Sequence, residues 1–140
     1  SQFDVFLRNR RYYHILLNIL FFAPLLLVMF RGGNPFAVLY AVSPMALGML
    51  SNYVVMQANG GKMPLVMTLS RLFLSTDAIN TFMSEMGYMY TMDAANAKWL
   101  FLGDIIDVGY HLYSIGDVLM GLGFAICVVE VVKYYHFASR

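Results

Sequence analysis

Gly32 to Gly61, GGNPFAVLYAVSPMALGMLSNYVVMQANGG, runs thirty residues without a charged side chain, and only Arg31 separates it from a second such stretch of nineteen, Tyr12 to Phe30. A helix rises about 1.5 Å per residue, so roughly 20 apolar residues cross a hydrocarbon core about 30 Å thick. The chain therefore opens with two predicted spans, one over 12–30 and one over 36–57. Arg31-Gly-Gly-Asn-Pro35 joins them as a tight hairpin, because glycine supplies turn conformations and proline suits the first turn of a helix. Asn18 and Pro24 in the first span are tolerable in lipid, where neighbouring groups satisfy the freed backbone. Pro44 predicts a kink in the second span. Ser43, Gly48, Ser51 and Asn52 recur near helical spacing, so with Pro44 they mark a face turned to another helix instead of to lipid.

A third span is predicted over 115–137. Its uncharged centre, Val118 to Val129, is only twelve residues long, so flanking aromatics and snorkelling side chains must complete the crossing. Gly116, Gly123 and Cys127 lie close to one stripe that permits close helix approach. Glu130 and Lys133 stand three apart and pair on one face, ahead of an interfacial ending at Tyr134, Tyr135, His136 and Phe137.

Between the second and third spans, 58–114 reads as an extramembrane segment. Ser75 or Thr76 caps a helix beginning at Asp77, which places Ala78, Ile79, Phe82, Met83 and Met86 on one face. This is an amphipathic helix for a membrane surface or a partner. Tyr88, Tyr90, Trp99 and Phe101 add the aromatic content of a headgroup interface. The predicted fold class is an all-α integral membrane protein: three transmembrane helices and one amphipathic interfacial helix in the long loop, forming a single membrane domain over 1–140.

Composition agrees. Of 140 residues, 60% are hydrophobic and 12% charged, with net charge +1 and mean hydropathy +0.65. Arg8, Arg10 and Arg11 form the largest basic cluster, the size of a topology signal and too small for a nucleic-acid footprint. Cys127 is the only cysteine, which removes internal disulfides and thiolate metal clusters. The apolar run after Arg11 is too long for a signal peptide and lacks a small-residue cleavage site, so it reads as a retained span. Ser1 in place of Met marks the chain as processed or as part of a longer product.

Asn59-Gly-Gly-Lys-Met-Pro64, Phe101-Leu-Gly-Asp-Ile-Ile106 and Ser114-Ile-Gly-Asp-Val-Leu119 together resemble a bacterial family of small multi-pass membrane proteins catalogued as a domain of unknown function. The likeness covers roughly 52–124. It implies a multi-pass protein of the bacterial inner (cytoplasmic) membrane and carries no activity. Lys62 stands where relatives carry Arg, and one or two spans that relatives carry upstream are missing from this sequence. The resemblance places 59–114 outside the cytoplasm. The positive-inside count opposes this, since Arg8, Arg10, Arg11, Lys62, Arg71 and Lys98 would share the inside against Arg31, Lys133 and Arg140. We follow the resemblance.

Four carboxylates invite a chemical reading. Asp104, Asp107 and Asp117 crowd the approach to the third span and Glu130 lies within it, and such groups bind cations or carry protons. The plainer reading comes first. Gly103-Asp104 and Gly116-Asp117 are each a Gly-Asp step beside an apolar run, where the carboxylate accepts backbone N–H groups at a turn or helix start, or meets Lys62. His14, His111 and His136 are dispersed without metal-ligand spacing, so zinc is not expected. His14 and His111 are the candidates for ligating a chlorophyll-type pigment or haem. The eleven Met, eleven Phe and ten Tyr would pack against pigment, carotenoid, quinone or lipid as well as against helices. No phosphate-binding glycine loop or nucleophile motif occurs. The expected role is therefore a non-catalytic accessory subunit of a larger bacterial membrane complex, photosynthetic or respiratory, with other membrane subunits and lipids as partners and no nucleic acid. The alternative is a small transporter or membrane enzyme using the carboxylates at 104, 107, 117 and 130.

Overall fold

The computed structural model describes residues 35–138 and, ahead of them, the helical residues Ala23, Leu27, Phe30 and Arg31. Apart from Ala23, Leu27 and Phe30, the predicted first span lies outside the described residues, and so does His14. The element order is α1 (Pro35–Ala58), β1 (Met63–Pro64), α2 (Ser70–Phe73), α3 (Thr76–Met86), β2 (Tyr90–Thr91), a 3-10 turn (Leu100–Leu102), β3 (Ile106–Asp107), β4 (Leu112–Tyr113) and α4 (Ile115–Ala138).

Helices dominate. Two of them, over Phe36–Ala58 and Ile115–His136, are long and apolar enough to cross a membrane, with mean hydropathy 1.4 and 2.1. Both carry large side chains that are more than half exposed, among them Leu39, Leu47 and Leu50 on α1 and Val118, Leu122 and Val132 on α4. Pro44 sits inside α1, where it removes one backbone donor without ending the helix.

The strands correct the all-α expectation. Each is two residues long, too short to show the alternation that betrays a strand in sequence. Met63–Leu65 forms their centre. Met63 and Pro64 pair in parallel with Tyr90 and Thr91 on one side, and Leu65 bridges Asp104 in parallel on the other. Pro64 suits this place because its carbonyl does the pairing, accepting from Asp104 N–H at 2.8 Å. A separate antiparallel hairpin sets Ile106 opposite Tyr113 and Asp107 opposite Leu112.

The chain divides into two compact units, residues 1–41 with 125–140, and residues 42–124. In the first, the buried side chains include Ala37, Ala41 and Cys127. There the Lys133 ammonium pairs with Glu130 Oε1 at 2.7 Å, as the spacing predicted. In the second, Val55, Met63, Leu65 and Met67 form a small apolar core.

Within the second unit, α1 and α4 meet at glycine. A Cβ on Gly48 would overlap the Gly116 carbonyl, and one on Gly116 would overlap Asn52 Oδ1. The predicted packing residues Gly48 and Asn52 thus find their partner inside the same chain. Gly123 is buried as well.

Candidate functional site

The Asn59-Gly-Gly-Lys turn sets up the site. Gly60 and Gly61 hold φ of 66° and 82°, the left-handed region that glycine occupies at little cost, and they reverse the chain after α1. Asn59 then ties the turn to a distant segment: Nδ2 donates to Lys98 carbonyl at 2.7 Å, and Oδ1 accepts from Lys98 N–H at 2.9 Å. Met63 and Pro64 follow as buried strand residues.

The two Gly-Asp steps, alike in sequence, have different roles. Asp117 caps. Ser114 Oγ accepts from Asp117 N–H at 3.0 Å while Asp117 Oδ2 accepts from Ser114 N–H at 2.9 Å, a reciprocal box that starts α4. Asn52 of α1 joins it, donating to Asp117 Oδ1 at 3.0 Å and accepting from Ser114 Oγ at 2.8 Å. Asp104 does not cap. Gly103 brings the backbone against Pro64, since a Cβ there would stand 2.5 Å from the Pro64 carbonyl oxygen. Asp104 N–H and carbonyl are consumed by pairing with Pro64 and Val66. Its side chain is only 7% exposed, and Oδ1 is buried with no hydrogen-bond partner.

Asp107 is the true anchor of the long segment. Its Oδ2 accepts from Thr68 N–H at 2.6 Å and Ser70 N–H at 2.8 Å, and its Oδ1 accepts from Gly109 N–H at 2.9 Å and, in a short bond, from Ser70 Oγ. Burial alone would raise its pKa, but these donors outweigh it and hold the carboxyl well below the usual carboxylate range.

Asp104 lines two cavities. The larger, about 340 Å³, lies beneath α3, whose Ala78, Ile79 and Phe82 face Leu65, Met67 and Leu74 across it. Helix α3 begins where the sequence placed it, with Ser75 Oγ accepting from Ala78 N–H at 3.2 Å, and its apolar face borders this internal space. The smaller cavity, about 160 Å³, has a mixed lining in which Asn52, Tyr90 and Asp117 stand beside Met56, Met63 and Met89. Tyr90 also borders the larger one, as does His111, which is exposed and stacks on Tyr113 with centroids 4.7 Å apart. Among the described residues, no group of three or more His, Cys, Asp or Glu side chains is placed to hold a metal ion.

Burial, and then the negative charge of Asp117, push the Asp104 pKa from 3.8 up to about 7. The folded state keeps this proton longer than the unfolded chain, so the contribution of Asp104 to stability is full below pH 3.8 and is lost as pH rises to 7. Asp104→Asn is expected to flatten that decline. Above pH 7 the variant should be more stable by a few kcal/mol, at roughly 1.4 kcal/mol per pKa unit, in thermal unfolding in mild detergent. A decline that survives in the variant would assign the titration elsewhere.

Sequence reasoning missed Ser70, Thr68 and Tyr90. Only the Ser114-x-x-Asp117 spacing carried a readable signal for the cap.

A protein-family model described as a family of unknown function, DUF5317, matches residues 3–129. No curated protein and no solved structure matches the chain.

Proposed function

We propose, for a chain that belongs to this family of unknown function and takes no activity from it, a non-catalytic role as an accessory subunit of a bacterial inner-membrane complex. In this reading 12–30, Phe36–Ala58 and Ile115–His136 are three spans, and 59–114 folds against the ends of the last two. One observation carries it. Three of the four carboxylates that a transporter or enzyme would use already serve the chain's own structure: Asp107 as loop anchor, Asp117 as helix cap, Glu130 as partner of Lys133. Of these four, Asp104 is the one whose carboxylate has no such structural task. Gly48 and Asn52 are taken up by contact with α4, and the large side chains that α1 and α4 leave exposed are mostly apolar, suited to lipid and to neighbouring subunits. The pigment reading rests on His14, which is not among the described residues, and on His111, which is exposed and stacked on Tyr113.

Gentle native purification from its own membrane, with crosslinking and mass spectrometry, is expected to return the chain in a stoichiometric complex. A monodisperse monomer with no crosslinked partner overturns the reading. Loss of a transport or proton-linked activity in Asp104→Asn, with assembly intact, would establish the transporter instead.

A further inference from the structure

The cavity beneath α3 combines features that the accessory role does not use. Its volume, about 340 Å³, falls at the lower end of the range of small-molecule sites. Its walls are mostly hydrocarbon and ring, from Leu65, Met67, Leu74, Ile79 and Phe82. At one end stands a single carboxylate, 7% exposed, with a buried oxygen that no protein group satisfies. An orphaned buried acceptor is uncommon in folded proteins because it forfeits its hydration without return.

Electrostatics select the missing partner. Among the described residues no Lys or Arg borders the cavity, the imidazole of His111 in its wall is exposed, and Asp117 adds a second negative charge from the adjoining space. An anionic ligand would meet repulsion from these two aspartates, while a neutral one would bring no charge to set against them. A bare metal ion is not favoured, since no group of three His, Cys, Asp or Glu side chains is gathered among the described residues. An ammonium group fits: it brings positive charge and several N–H donors, and a hydrocarbon body attached to it would lose water against the apolar walls.

We propose that this cavity binds a small amphiphilic amine, its ammonium at Asp104 and its hydrocarbon part beneath α3 against Leu65, Ile79 and Phe82. The site does not depend on the accessory-subunit reading, because it is built from residues of one chain.

The test uses two probes of nearly one shape, 2-phenylethylamine and 2-phenylethanol. They are titrated calorimetrically into the full chain in nanodiscs of zwitterionic lipid, with empty nanodiscs subtracted. The amine is expected to bind roughly tenfold more tightly than the alcohol, the worth of one charge-assisted hydrogen bond. Asp104→Asn should remove that advantage and leave alcohol binding in place. The substitution is near-isosteric at a carboxylate whose Oδ1 has no hydrogen-bond partner in the fold. Ala78→Phe, at an exposed helix position bordering the cavity, should weaken both probes and gives a second reading if the first variant fails to fold. Equal affinity of the two probes, no binding of either, an amine advantage that survives Asp104→Asn, or binding indifferent to Ala78→Phe each overturns the proposal.

Discussion

Replacing Asp107 by alanine is expected to release the 66–74 connection from the rest of the extramembrane segment, at a cost on the order of 4 kcal/mol. The carboxylate gathers four close donors from three places, the backbone of Thr68, the backbone and hydroxyl of Ser70, and the backbone of Gly109, with the Thr68 hydroxyl farther off at 3.5 Å. Ser70 lies 37 residues away in sequence and is 2% exposed, so its donors have no water to turn to when the acceptor goes. A hydrogen bond to a charged group contributes about 1.5–3 kcal/mol, and an orphaned buried donor costs about 1–3 kcal/mol. Asp107→Asn should cost less, because an amide keeps one acceptor oxygen but turns its NH₂ toward donors. Hydrogen–deuterium exchange localises the effect: amides 66–74 and 109 should lose protection in the alanine variant while those of α1 and α4 keep it. Unchanged protection at Thr68 and Ser70 would mean the anchor lies elsewhere.

The same residue sets an acid limit. Its carboxyl is held below the ordinary value of 3.8, so the stabilisation is full above pH 3.8 and is lost as pH falls below it. Asp104 acts with opposite sign, its contribution lost as pH rises from 3.8 to about 7. Two aspartates three residues apart thus oppose each other, and the extramembrane segment is expected to be most stable near pH 4. What separates them is the supply of donors: Asp107 has four, and Asp104 Oδ1 has none.

That difference explains how far the sequence could be read. The two long helices follow from runs of apolar residues that set their own length, and the capped amphipathic helix at 76–86 follows from local spacing around Ser75. Gly48 and Asn52 were legible as a packing face because helical periodicity puts them on one side. The helix-start role of Asp117 was legible because its cap partner Ser114 is local, whereas those of Asp104 and Asp107 were not, because each depends on groups brought from afar. Gly103-Asp104 and Gly116-Asp117 share a dipeptide. At Gly116-Asp117 the carboxylate accepts from the Ser114 backbone N–H and from an amide side chain of α1, and at Gly103-Asp104 it faces a cavity. The parallel bridges of Met63–Leu65 with 90–91 and 104 escape any pattern of alternation because each involves so few residues.

The helix contact at Gly116 is where a single added side chain should do most damage to the spans. Gly116→Val places its side chain where Asn52 Oδ1 and the Gly48 carbonyl already stand; the Asn52 side chain can swing away, but the Gly48 carbonyl cannot yield without moving α1. Overpacking costs about 1–3 kcal/mol. Displacing Asn52 also removes its bonds to Asp117 and Ser114, so the expected loss is roughly 4 kcal/mol in thermal unfolding in mild detergent. Gly121→Val is the control, since a Cβ at Gly121 meets nothing within 4 Å on the same helix, and it should leave stability nearly unchanged. Equal effects of the two substitutions would show that the helices do not meet at Gly116. Asn52→Leu then separates the remaining terms. Ser114 and Asp117 still cap α4 without it, so a loss confined to the interhelical bonds should add to Gly116→Val by far less than its own cost, as expected for two changes that break the same contact.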